Sequence, residues 1–373
     1  METETRIPLT RPQTDEAELA EIAEVLASGY LTQGPKVEQL EGMVRTLVGT
    51  EHAFAVTSAT TALHLSLVAL GIGAGDEVLV PDFTFPATAN VVVQQGARPV
   101  LVDIDLATFA VNGEDLARRV TPRTRAIMPV HPFGLSADMD PVLELAERHG
   151  LAVVEDAACA LGATYRGHQA GSLGLVGCFS FHPRKSITTG EGGMIVTSDT
   201  AVADRIRLLR SHGGVREHGR FRFEAAGFNY RLSDILAAVG VAQMRKLDGF
   251  LDARRRVAGW YDEALDGLER LVRPTAPEWG THTYQSYVVL LDPAVDRDAV
   301  IAALRRDGIE TTLGTYALHA QPFFSRTYEL EPGDLPNSYR AFMSSLALPL
   351  HGGMREAEVD TVVARLRVAL DAA

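Results

Sequence analysis

At 373 residues, 46% apolar and 22% charged, the chain is long enough for one large domain plus a smaller one and has an ordinary globular balance. Its formal net charge of −13 argues against a general nucleic-acid surface, and it requires any anionic substrate to be met by locally placed cations. No apolar run reaches bilayer-spanning length, METETRIPLTRPQTDE has no signal-like apolar stretch, and the only cysteines, Cys159 and Cys178, form no CxxC pair or metal-ligand spacing. The expectation is a reducing, cytoplasmic setting with no metal, membrane or nucleic-acid partner.

In chain order, AFAV (from Ala53), EVLV (from Glu77), PVLVDI (from Pro99), RAIMPV (from Arg125), LAVVED (from Leu151) and GMIVTS (from Gly193) read as buried strands. Helical patterns such as TALHLSLVAL, DPVLELAERHG and AVADRIRLLRSHG fall between and after them. Apolar strands alternating with helices predict an α/β fold, with a mostly parallel sheet covered on both faces. Beyond about residue 245 the pattern becomes α+β. A long amphipathic segment, LDGFLDARRRVAGWYDEAL, precedes the strand-like YQSYVVLL, the helix DRDAVIAALRRDG and a last helix near EAEVDTVVARLRVAL. The division expected is a large domain over 1–245 and a small C-terminal domain over 246–373, joined by the long helix.

Lysine is scarce: of 35 Lys plus Arg, only Lys36, Lys185 and Lys246 are lysines. Lys36 and Lys246 lie beside polar helix-like segments and read as chance. Lys185 lies in the Gly-rich loop SFHPRKSITTGEGGM, where it is either an imine-forming amine or a loop lysine capping a helix end. Asp156 ends a strand, where ligands sit in open α/β sheets, but the same position suits a helix cap. Ser58, Thr60 and Thr61 stand at a strand-to-helix turn that suits either a bare cap or an anion, and Ser180 adds a further hydroxyl. Phe85 reads as a stacking ring or a core residue. Asn229 and Arg231 form a polar pair ahead of an apolar helix, in the manner of a cap.

In this order, from GYLTQGPKVEQLE near residue 29 to LPLHGGMREAEV near 348, these segments resemble the nucleotide-sugar aminotransferases of the DegT/StrS type, a branch of the fold-type I pyridoxal 5'-phosphate (PLP) enzymes. The resemblance implies that Lys185 forms the imine with PLP and that Asp156 pairs with its ring nitrogen. It implies that Thr60, Thr61 and Ser180 contact the phosphate and that Phe85 stacks on the ring. Asn229 would reach the phosphate from a neighbouring subunit, hence a homodimer with shared active sites. Arg231 and His319 would face the substrate, the latter near the sugar. The reaction implied carries an amino group, by way of pyridoxamine phosphate, from an amino acid such as glutamate to a nucleotide-linked keto sugar. Relatives with His at the lysine position deoxygenate instead, so Lys185 points to transamination. Two segments depart from the pattern: Cys159 and Leu161 stand where relatives carry Gln and His, and YQSYVV replaces a YHLYVV-like run. A keto-cyclitol aminotransferase and a catalytically silent PLP-binding regulator are the competing readings. A dinucleotide oxidoreductase lacks its GxGxxG.

Overall fold

The computed structural model describes residues 6–217 and 219–373. Seven strands form the central sheet: β1 (His52–Val56), β2 (Glu77–Pro81), β3 (Arg98–Val102), β4 (Thr124–Ile127), β5 (Ala152–Asp156), β6 (Val176–Ser180) and β7 (Gly193–Thr197). Their order is β1-β7-β6-β5-β4-β2-β3. Pairings from β6 through to β3 are parallel, whereas β7 runs antiparallel to both β1 and β6. Only β7 therefore opposes the common strand direction. Alternate side chains go to opposite faces, as the pleat demands. Val56, Val80, Val154, Cys178 and Ile195 join one core with α3 (Ala59–Leu70), while Ala55, Phe179, Met194 and Val196 join another beneath α2 (Pro35–Val48).

Strand β6 is absent from the sequence reading. Its residues, VGCFS, carry a glycine and two small polar or thiol side chains, and they follow the glycines at 171 and 174. The glycine is required by packing: the backbone of Gly171 occupies the space that a Cβ on Gly177 would need. The strand expected over 125–130 ends at Ile127, because Pro129 leaves the ladder.

The segment after residue 245 opens on α8 (Leu247–Ala264), reached from α7 (Asp234–Arg245) through Lys246 alone. Four antiparallel strands follow in the order β10-β11-β13-β12: β10 (Leu271–Val272), β11 (Tyr287–Leu291), β12 (Thr312–Leu313) and β13 (Ser345–Leu348). Helices α9 (Arg297–Arg306) and α10 (Glu356–Ala372) pack with them around Val257, Tyr261, Val289, Leu304 and Leu366. Leu318, Phe324 and Leu335 instead join the large core, so the C-terminal region grips the sheet as well as building its own interior. No helix among the described residues is long and apolar enough to cross a membrane.

Lys36 and Lys246 are not placed by chance. Each anchors α1 (Glu16–Ser28) to its neighbours: the Lys36 amine pairs with Glu21 and lies 2.6 Å from Glu24, and the Lys246 amine lies 2.6 Å from Glu18 and 3.1 Å from Asp15.

Candidate active site

Strand register gathers the site at the carboxyl edge of the sheet, the ligand-binding edge of open α/β folds. Gly193, the first residue of β7, faces Val56 on one side and Ser180 on the other. A Cβ on Gly193 would collide with the Ser58 backbone, so only glycine lets the start of α3 press against this edge. Asp156 lies opposite Cys178, two residues before Ser180 on the adjoining strand. The link from β6 to β7 is the loop that carries Lys185.

Asp156 is 6% exposed. Its Oδ2 accepts from Thr88 Oγ1 at 2.8 Å and its Oδ1 from the Ala158 amide at 3.2 Å. Burial pushes its carboxyl well above the usual carboxylate range, against the opposing pull of those two donors and of the charge on Lys185. A carboxylate so placed is stabilised by any cation that fills the space before it. Beneath it lies a second network. The His131 amide donates to the Asp156 carbonyl at 3.0 Å; His131 Nδ1 accepts from the Ala137 amide, so Nε2 carries the proton and donates to Glu155 at 2.8 Å. Glu155 also accepts from the amides of Gly171, Leu173 and Gly174, all within 2.8 Å. The end of β5 is thus fixed by buried, satisfied polar groups.

Lys185 Nζ donates to Cys159 Sγ at 3.0 Å, so the position that departs from the expected pattern touches the lysine itself. The loop backbone is held from the C-terminal region: Gln285 Nε2 donates to the Arg184 carbonyl at 2.7 Å, and Arg254 Nη2 to the Lys185 carbonyl at 3.5 Å. Arg254 is buried and also donates to the carbonyls of Tyr284, Gln285 and Leu350. Burial lowers it to about 10, so it stays charged at neutral pH.

At the start of α3, Ser58 is the N-cap: its hydroxyl accepts from the Thr61 amide at 3.1 Å, and Thr61 Oγ1 accepts from the Ser58 amide at 3.0 Å. Thr61's hydroxyl is therefore engaged in the cap. Thr60 makes no side-chain hydrogen bond among the described residues and is the freer of the pair. Ser180 Oγ accepts from the His182 amide at 3.3 Å and keeps a donor to offer. Phe85 sits two residues before α4 (Ala87–Gln94), the helix that carries Thr88, with 65% of its surface exposed. A large ring left open just before the helix that holds Asp156's hydrogen-bond partner is suited to stacking.

Three candidates stand apart from the Lys185–Asp156 pair. His319 is fully buried: its ring Nδ1 lies 2.6 Å from Asp82 Oδ2, and its amide donates to Asp82 Oδ1 at 2.7 Å. It touches the end of β2 and offers solvent no surface. Asn229 is exposed and bridges to Ser211, while Arg231 pairs with Val56 and donates to Ser211 Oγ at 3.0 Å. Both stand beside the end of β1. Thr88, His131, Glu155, Arg254 and Gln285 were not singled out from the sequence. Of these only Glu155, adjacent to Asp156 in a strand, carried a visible signal.

The model of the DegT/DnrJ/EryC1/StrS aminotransferase family matches residues 12–367. The chain belongs to that family. It is 44% identical over 365 residues to a GDP-perosamine synthase of Caulobacter vibrioides, with 97% of each chain covered. Its structure matches the aminotransferase TlmJ of Streptoalloteichus hindustanus at a TM-score of 0.92 and 36% identity, covering 98% of this chain and 99% of the other. The PLP form of Spr1654 from Streptococcus pneumoniae matches at a TM-score of 0.94 and 28% identity, covering 98% and 99%. The chain is accordingly a PLP-dependent sugar aminotransferase with the expected α/β fold. Its residues fit the cofactor. A buried carboxylate feels the charge of the Lys185 amine, a helix start offers Thr60 for a phosphate, and Phe85 leaves a large ring exposed.

Proposed function

We propose that the enzyme moves an amino group from glutamate to a nucleotide-linked keto sugar, with a GDP-linked amino sugar as the product class. The reading is carried by one convergence: the Lys185 amine and the buried Asp156 carboxylate share one sheet edge, in a chain 44% identical to a GDP-perosamine synthase. When bound, PLP supplies the aldehyde that takes the donor's nitrogen and the ring that withdraws electrons from the carbon losing its proton. Lys185 Nζ takes that proton and returns it, in the donor half and in reverse in the acceptor half. Asp156 keeps a proton on the ring nitrogen, Phe85 covers the ring, and Thr60, Thr61 and Ser180 receive the phosphate. Lys185, where deoxygenating relatives carry His, favours amino transfer.

The assembly in this reading is a cytoplasmic homodimer in which Asn229 reaches the partner's phosphate site and Arg231 meets substrate phosphates. The two domains divide at 245/246. Support for the assembly comes from the exposed Asn229 side chain, and for the location from two unpaired cysteines. A steady-state assay with glutamate and a panel of keto sugars, free and linked to GDP, UDP or dTDP, tests the whole. Turnover confined to GDP-linked keto sugars is expected. Equal turnover of free keto sugars or inososes would replace this reading with the cyclitol one.

A further inference from the structure

Behind Asp156 two buried hydroxyls stand in line. Thr88 Oγ1 lies 2.8 Å from Asp156 Oδ2, and Thr84 Oγ1 lies 3.0 Å from Thr88 Oγ1. Thr84 is 3% exposed and Thr88 1%, so water does not compete for either group. Thr84 Oγ1 has no other hydrogen-bond partner among the described residues, and its proton therefore goes to Thr88 Oγ1. Thr88 has one proton and two acceptors within reach, Asp156 and the Phe85 carbonyl at 3.2 Å. The carboxylate is closer and charged, and a hydroxyl that accepts one bond donates the next more strongly, so the order runs from Thr84 to Thr88 to Asp156. Thr88 lies on the first turn of α4, three residues after Phe85, so one helix start sets this hydroxyl and the exposed ring together. Thr84 belongs to a two-residue strand, Phe83–Thr84, that pairs antiparallel with Tyr316–Ala317 of the C-terminal region. Asp82, one residue before that strand, accepts from the His319 amide and lies 2.6 Å from the His319 ring. The buried contact of His319 with Asp82 thus anchors the segment that carries Thr84.

We propose that Thr88 is a positioning residue for the reaction: backed by Thr84, its hydroxyl keeps the buried Asp156 carboxylate ionised, so that Asp156 can hold a proton on the PLP ring nitrogen. The inference rests on the role given to Asp156 in the proposed amino transfer. A carboxyl taken out of water favours its neutral form, and burial acts on Asp156 in that direction. A neutral carboxyl would offer the ring nitrogen a hydrogen bond and no counter-charge. A hydroxyl whose proton points at the carboxylate stabilises the ionised form, and Thr88 is the first of the influences that oppose burial. The other donor, the Ala158 amide, lies farther off at 3.2 Å on the second oxygen. The two threonines therefore supply what solvent would supply at the surface, and they do so without admitting water to the site.

The full chain loaded with PLP that carries a nitrogen-15 label in its ring tests the relay, since the NMR shift of that nitrogen reports whether it holds a proton. At neutral pH the wild-type nitrogen should be protonated. Thr88→Val keeps the shape of the side chain without the hydroxyl; it should move the shift toward the unprotonated value and slow single turnover with glutamate about ten-fold. Thr88→Ser restores a hydroxyl and should return both readings to wild type. Thr84→Val should move the shift the same way by less, and it decides the matter should Thr88→Val not fold. A threonine with a merely structural part would lower thermal stability or PLP affinity and leave the nitrogen protonated. The proposal is overturned if Thr88→Val, or Thr84→Val in its place, keeps the wild-type shift, or if Thr88→Ser keeps the altered one. Asp156→Asn separates the relay from the role it rests on. A wild-type shift in that variant removes Asp156 from the ring nitrogen altogether, whereas a moved shift there with none in Thr88→Val refutes the relay alone.

Discussion

The carboxyl edge of the sheet and the hairpin of strands β8 (Gly214–Glu217) and β9 (Arg220–Phe223) stand at opposite extremes of construction. At the edge each reactive group is fixed by another: Asp156 by Thr88 and Ala158, Lys185 by Cys159, and the loop backbone by Arg254 and Gln285. The hairpin has almost no internal support, and its aromatic face is open. A two-stranded ribbon is marginal by itself in water, so the hairpin is tolerant of change where the edge is not. In the proposed reading reaction chemistry belongs to the rigid edge, as expected when catalytic groups must be preorganised.

The largest effect should come from Lys185→Ala. It should abolish turnover while leaving the fold and noncovalent cofactor binding in place, because the other two lysines are held in ion pairs with α1. Borohydride treatment of the PLP-loaded enzyme followed by peptide mapping should label Lys185 alone. A label on Lys36 or Lys246 would move the reaction off this edge. Next is Asp156→Asn. A neutral amide exerts no pull on a ring-nitrogen proton, and both half-reactions should slow on the order of a hundred-fold, about 3 kcal/mol. Single-turnover absorbance with glutamate, and separately with the keto sugar, would reveal whether both halves slow. Wild-type rates in either half would remove Asp156 from the role.

The same contrast explains what the sequence disclosed. Asp156 and its strand were legible because an apolar run ends there in a carboxylate, and Lys185 stood out through the scarcity of lysine and the Gly-rich loop around it. The parallel sheet was legible through unbroken apolar runs such as EVLV and VVED. Strand β6 was not, since Gly177 and Ser180 serve close approach and chemistry instead of strand propensity. Thr88, Arg254 and Gln285 were invisible because each meets its partner across 68 or more positions of chain. His319 looked like a pocket residue in the sequence, and its buried contact with Asp82, 237 positions away, could not be read there. The ion pairs of Lys36 and Lys246 were hidden similarly, by tertiary contacts with α1.

Asn229 lies where edge and ribbon meet, and it tests whether they belong to one chain. Asn229→Ala should weaken PLP retention about ten-fold, the value of a charge-assisted hydrogen bond of roughly 1.5–3 kcal/mol. Lys185→Ala and Asn229→Ala subunits can then be mixed under conditions that exchange them. If Asn229 acts in trans, a mixed dimer has one site with both defects and one with neither, and activity at limiting PLP recovers. If it acts within its own chain, each site keeps one defect and demonstrated exchange restores nothing.

The smallest effect concerns α1, which the contrast places with the rigid edge through α2 and α7. For Glu21 the opposing influences are burial, which raises its carboxyl, and the hydrogen bonds and charges of Lys36 and Arg245, which together outweigh it and leave the group below the ordinary glutamate value. Glu18 is likewise held low: burial raises it, and the Asp15 amide, Lys246 and Gln243 outweigh that. A carboxyl depressed in the folded state contributes stability that is present above its unfolded value and is lost as pH falls through its folded one. Docking of α1 should therefore be undiminished at neutral pH, begin to weaken near pH 4.5, and continue to weaken below that. Hydrogen exchange of Glu16–Ser28, read against β5 as an internal reference, should show that helix opening first on acidification. Lys36→Met should reproduce part of the loss at neutral pH, about 1 kcal/mol, between the value of an exposed pair and that of a fully buried one. Opening of α1 and β5 together would mean that the ion pairs hold no separate unit, whereas opening of α1 with the keto-sugar rate unchanged would confirm that its lysines serve the scaffold and Lys185 the chemistry.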